Sequence, residues 1–134
     1  MAEIRYWCSV TETTDPDFQT LALLEKQAGR TAVVKLLGNH RQNVTQTIAE
    51  LEKITGNIDR DHIHMIAHRM QGSCGSLGFH RLSALFSDMD KAVMDGNHEQ
   101  VIKYIQEVVH ENEILADGVR QYYPEILSKP ESSG

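Results

Sequence analysis

Apolar residues recur along most of this chain at steps of three and four, the period of a helix with one buried face. Val33, Val34, Leu37, Val44, Ile48, Leu51 and Ile54 define such a face over residues 30–55. Ile63, Ile66, Ala67, Met70, Cys74 and Leu77 define a second, capped ahead by Asp59 and stopped by Gly78. Leu82, Leu85, Phe86, Met89 and Val93 define a third, starting at Phe79 or His80 and ending at "DGN" around Gly96. Val101, Ile105, Val108, Leu115, Val119 and Tyr122 define a fourth, capped by Asn97 and ending near Pro124. Ahead of these, Asp15 as cap and Pro16 at the first helical position predict a short helix over 16–28, closing near Gly29. Only "IRYWCSV", residues 4–10, carries a weak strand pattern.

Four long amphipathic helices joined by short turns bury their faces best against one another, with neighbours antiparallel. The predicted fold is therefore all-α, an up-down-up-down four-helix bundle with a short extra N-terminal helix. The expected domain covers residues 16–124, after an N-terminal extension at 1–15 and before a flexible polar tail at 125–134.

Composition narrows the field. A length of 134 residues suits one domain with one core, and three prolines with 6% aromatics speak against a β-sandwich. A net charge of -6 gives no general attraction to nucleic acid or to an anionic membrane. No apolar run approaches the roughly 18 residues that cross a bilayer, and "MAEIRYWCSV" lacks the order of a secretory signal. Cys8 and Cys74 form no CxxC pair. Reduced thiols in a cytoplasmic protein are the expectation.

One stretch conflicts with the helical pattern. "IAHRMQGSCGSLGFHRL", residues 66–82, has helical apolar spacing but places glycines at 72, 75 and 78. Each glycine inside a helix costs about 1 kcal/mol relative to alanine. On a helical wheel the apolar residues of this segment lie within roughly 60° of one direction, and His68 falls about 140° away. His68 should therefore face solvent, with His64, Gln71, Gly72 and Gly75 on its side. Gly72 stands four residues after His68, where a long side chain would shield the ring, and Gly75 is expected to continue the same bare strip. Tight helix–helix packing is the competing explanation. It suits Gly78 as a cap but serves Gly72 poorly, because that position points outward.

The segment "AHRMQGSCGSLGFHRL" resembles the signature of histidine-containing phosphotransfer (Hpt) domains, typically A-H-x-L-K-G-S-[SA]-x-x-[LIV]-G followed by x-x-x-L. The matching residues are Ala67, His68, Met70, Gly72, Ser73, Leu77, Gly78 and Leu82. The likeness extends over about residues 18–123, taking in "LEKQAG", "NHRQNVTQTIAEL" and "FSDMDKAVMDGN". It implies a four-helix bundle in which His68 is the phosphoacceptor, loaded from an aspartyl phosphate on one receiver domain and unloaded onto another in a multistep phosphorelay. A neutral imidazole offers a lone pair for in-line attack on phosphorus, and phosphoryl transfer rests mainly on positioning and charge neutralisation.

On this resemblance the chain is a monomeric phosphocarrier without ATP-dependent kinase activity of its own. It needs no cofactor, since Mg2+ belongs to the partner receiver. The phosphate environment and docking face would include His64, Arg69, Gln71, Gly72 and Gly75. Where the family commonly has lysine three residues after the histidine, this chain has Gln71, which can donate a hydrogen bond but brings no charge.

Three other readings compete. "HIHMIAH" places His62, His64 and His68 together, but no CxxC or HExxH completes a zinc ligand set, so no metal is expected. His40, His80, His98 and His110 are expected as solvated surface residues. A sensor-kinase dimerisation helix usually has an acidic residue directly after its histidine and a proline soon after. Here Arg69 follows, and the next proline along the chain is Pro124. The third is a helical docking module for receivers with no phosphate chemistry.

Overall fold

The computed structural model describes residues 18–126. The weak strand pattern at 4–10 and the Asp15–Pro16 helix start lie outside them. Five helices follow in order: α1 (Phe18–Ala28), α2 (Arg30–Lys53), α3 (Arg60–Ser76), α4 (His80–Met94) and α5 (His98–Tyr122). The fold is all-α, with no strand among the described residues. Helices α2 to α5 form the bundle and α1 packs on α2 as the short extra helix. No described helix is long and apolar enough to cross a membrane.

The breaks between helices follow from local chemistry. Asp59 caps α3 by accepting from the backbone N–H groups of Asp61 and His62 at 3.1 and 3.3 Å. At the far end, Phe79 N–H donates to the Cys74 carbonyl and Gly78 N–H to that of Gly75. This paired closure needs a left-handed residue, and Gly78 supplies it with φ 87°. The same closure ends α4, where Gly96 has φ 73° and Asn97 N–H reaches the Ala92 carbonyl. Asn97 then caps α5 by accepting from Gln100 N–H at 3.2 Å. Helix α2 ends at Lys53, two residues before the expected limit, and the Thr55 hydroxyl donates to the Glu52 carbonyl in the turn.

The core holds the expected apolar faces, with Leu51, Ile63, Ala67, Leu82, Phe86, Met89, Val101 and Val108 fully buried. Three polar residues lie among them: His40, Thr47 and Glu111. Thr47 donates to the Met70 sulfur at 3.5 Å. Glu111 accepts from Arg81 Nε at 2.9 Å, so its carboxylate is charge-paired where it enters the core. His40 corrects an expectation, because it is buried at 6% exposure rather than solvated. Neither ring nitrogen has a hydrogen-bond partner, and the ring tilts against Phe79 at 4.8 Å between centroids. A cavity of about 130 Å³ lies beside it, lined by Leu37, Val44, Phe79, Leu115 and Ile126 among others.

The end of the domain also differs from the expectation. Tyr122, placed on the buried stripe by its spacing, is 56% exposed, and Tyr123 is buried instead. The helix stops at Tyr122, so the helical period no longer sets which way the next side chain turns. Glu125 and Ile126, assigned to the flexible tail at 125–134, are docked. Arg30 donates to Glu125 at 2.7 Å and to the Tyr122 carbonyl at 2.6 Å, and it lies over the Tyr123 ring. Ile126 is buried. The rest of that tail is outside the described residues.

Candidate functional site

Helix α3 buries Ile63, Ile66, Ala67, Met70 and Cys74, and this face fixes the direction of the opposite one. His68 stands on that opposite face, exposed, near the middle of the helix. Gly72, one turn on, is also exposed, and a Cβ built there would meet nothing within 4 Å. Packing therefore does not require a glycine at this position. The exposed Arg69 lies next to His68 in sequence but about 100° around the helix.

Gly75 is different from its expected role. It is half-buried at the contact with α4, and a Cβ there would lie 3.5 Å from the Ser83 hydroxyl. That hydroxyl donates to the Gln71 carbonyl at 2.8 Å. Gly75 thus belongs to the α3–α4 seam rather than to a bare outward strip. Gln71 is half-buried, with its backbone engaged in the same seam.

The histidines of "HIHMIAH" diverge. His62 Nε2 lies 2.7 Å from Glu50 on α2. His64 Nδ1 lies 2.6 Å from Asp90 on α4, and an ionised carboxylate can only accept, so the ring nitrogen donates. The His64 and His68 rings are 6.0 Å apart between centroids and inclined by 30°. No group of three histidine, cysteine or carboxylate side chains converges as a metal site among the described residues. Arg81, which could have approached His68 from the following helix, is instead held by Glu111. Cys74 is fully buried, as its place on the apolar face requires.

The sequence reading passed over two residues of this region, Asp90, which meets His64, and Met65, which shares the face of His68. Asp90 sits in "FSDMDKAV", and nothing local marks it as a partner for a histidine on another helix. Met65, three residues before His68, is 65% exposed, the most exposed of the large apolar side chains described. An apolar residue at i−3 from a solvent-facing histidine was visible in the sequence, because i,i+3 positions share a helix face.

A helical bundle that displays one imidazole at mid-helix, with an uncovered glycine a turn later and an apolar side chain a turn earlier, is the architecture of a module that presents histidine to other proteins. The family model described as "Hpt domain" matches residues 35–121, well over half of the chain, and the chain belongs to that family. Its general role is phosphotransfer within two-component phosphorelays, where such domains interact with receiver domains. No curated protein and no solved structure matches the chain.

Proposed function

We propose that His68 accepts a phosphoryl group from the aspartyl phosphate of one receiver domain and passes it to the aspartate of another. The O–P bond of the acyl phosphate breaks as an N–P bond forms on His68, the receiver's carboxylate leaves with the bonding pair, and the proton on the other ring nitrogen of His68 passes to solvent. Transfer to the second receiver is the same step reversed. The carboxylate, the Mg2+ and most of the charge neutralisation come from the receiver, so this chain needs no cofactor and no nucleotide site. It works as a carrier, as a monomer in the cytoplasm.

The observation that carries this reading is the exposed His68 beside the open space at Gly72. That glycine weakens the helix and relieves no crowding within the bundle. The space it leaves fits a visiting protein surface, and Met65 adds an apolar contact on the same side.

The test is incubation with a phosphorylated receiver domain. Wild-type protein should acquire label that is acid-labile and base-stable, and His68→Gln should acquire none. Absence of label in both would leave a docking module without phosphate chemistry. A second outcome is expected at Gln71, where Gln71→Lys adds a cation on the phosphate side. Its phosphohistidine should live longer, or the transfer equilibrium should shift toward the carrier, by about threefold. Unchanged lifetime and equilibrium would remove position 71 from the phosphate environment.

A further inference from the structure

The missing lysine raises the question of what else could meet a phosphoryl group on His68. The register of α3 and α4 points to an answer. Ser83 bonds α3 at Gln71, and Asp90 bonds it at His64. His68 stands between those two contact positions along α3. His64 is therefore anchored from α4 on one side and faces His68 along α3 on the other.

We propose that His64, held by Asp90, is the positioning group for the phosphoryl on His68 and supplies, as an imidazolium, the charge that the family's usual lysine would bring. The proposal rests on the relay reading given above.

Three observations support it. The first is spacing: His64 and His68 are four residues apart on one helix face, with ring centroids 6.0 Å apart. That gap is too wide for a direct hydrogen bond between the rings, and a phosphoryl group standing on His68 would bridge it. The second is orientation. Asp90 accepts from Nδ1 at 2.6 Å and is itself only 18% exposed, so the carboxylate is fixed and the ring with it. Nε2 is the nitrogen left for a second partner, and it donates only when the ring is protonated. The third is the charge balance of the site. A phosphoryl group brings between one and two negative charges near neutral pH, and Gln71 offers none in return. Asp90 from α4 meets His64 directly, and Arg60, Asp61 and His68 stand three or four positions from it along α3. Glu50 from α2 is held by His62.

Linkage gives the sign. If phosphate on His68 prefers protonated His64, then protonation of His64 equally favours phosphate on His68. The proton comes from solvent and returns to it when the phosphoryl group leaves, so His64 is not consumed.

The experiment uses the full chain loaded in two ways, by a phosphorylated receiver domain and by potassium phosphoramidate, with the site of phosphorylation mapped by mass spectrometry. The titration of the His64 ring is followed by NMR with and without phosphorus on His68. The midpoint is expected to rise on phosphorylation, and wild-type occupancy at equilibrium with a receiver should exceed that of His64→Gln by about threefold at pH 6 and by less at pH 8, a comparison in which the proton linked to His68 itself cancels. His64→Lys should restore occupancy at both pH values. A midpoint that stays fixed in chemically phosphorylated protein overturns the role of His64 and leaves the relay standing. Loading by phosphoramidate without any loading by receivers overturns the relay. If His68 takes phosphorus from neither source, both fall.

Discussion

Lowering the pH from 7.5 to 4 should strip about 3 kcal/mol from the folding stability of the bundle through one side chain, His40. Burial without a hydrogen-bond partner holds its imidazole down to about 4, from an ordinary value of 6.5. The unfolded chain therefore binds a proton below 6.5 that the folded chain refuses until about 4, and stability falls as pH falls across that window. At about 1.4 kcal/mol per pH unit, the gap amounts to about 3 kcal/mol. Above 6.5 both states hold the ring neutral and this group contributes no slope. Glu125, whose carboxyl Arg30 holds below its usual range, begins to lose its contribution only below the ordinary value of 4.5, at the acid end of the His40 window, so the decline between 6.5 and 4.5 reports His40 and not Glu125.

Urea denaturation followed by circular dichroism at a series of pH values measures the effect. His40→Leu should be more stable than wild type at pH 7, since two orphaned nitrogens are removed from the core. It should also lose the extra decline between pH 6.5 and 4. Equal declines in variant and wild type would mean that the ring finds a partner in solution. The ring packs against Phe79, directly after the Gly78 closure of α3. Acid unfolding should therefore begin at the turn that follows α3.

The second large effect is at Gly72, where stability and transfer should move in opposite directions. Gly72→Ala should stabilise the protein by about 1 kcal/mol, because the added methyl meets no neighbour and the helix gains propensity. Gly72→Gln should also be at least as stable as wild type, yet its transfer from a phosphorylated receiver should slow by at least about tenfold, since a side chain would occupy the visitor's space. Phosphoramidate, being small, should still load His68 in the same variant. A Gly72→Gln protein that exchanges phosphorus with receivers at the wild-type rate would show that the open space has no part in docking.

The apolar stripes located every helix of the bundle, and they failed where the core is polar. The buried positions of α2 are Val33, Leu37, His40, Val44, Thr47 and Leu51, an alternation of steps of four and three. Reading only apolar residues skipped His40 and replaced Thr47 with the half-buried Ile48. The same blindness hid Glu111 between Val108 and Leu115. Pattern reading treats polar residues as outward, whereas here Arg81 and the Met70 sulfur supply partners from other helices.

The exposure of His68 and Gly72 was legible because it depends on one helix and its own buried face. Gly75 was misplaced because a helical wheel does not know where the neighbouring helix lies. Asp90 was invisible for a related reason, since its partner is 26 residues away on another helix. Single-helix geometry is written locally. Seams are not.

His68 belongs to the interior of a capped helix, not to a loop that must close over its visitor. Donor and acceptor would thus meet the same rigid outline, and neither would have to reshape it. A carrier of that kind has no built-in direction. Phosphorus would run whichever way mass action drives it, set by the relative stability of the two aspartyl phosphates, the abundance of the two receivers and how much of each is already charged.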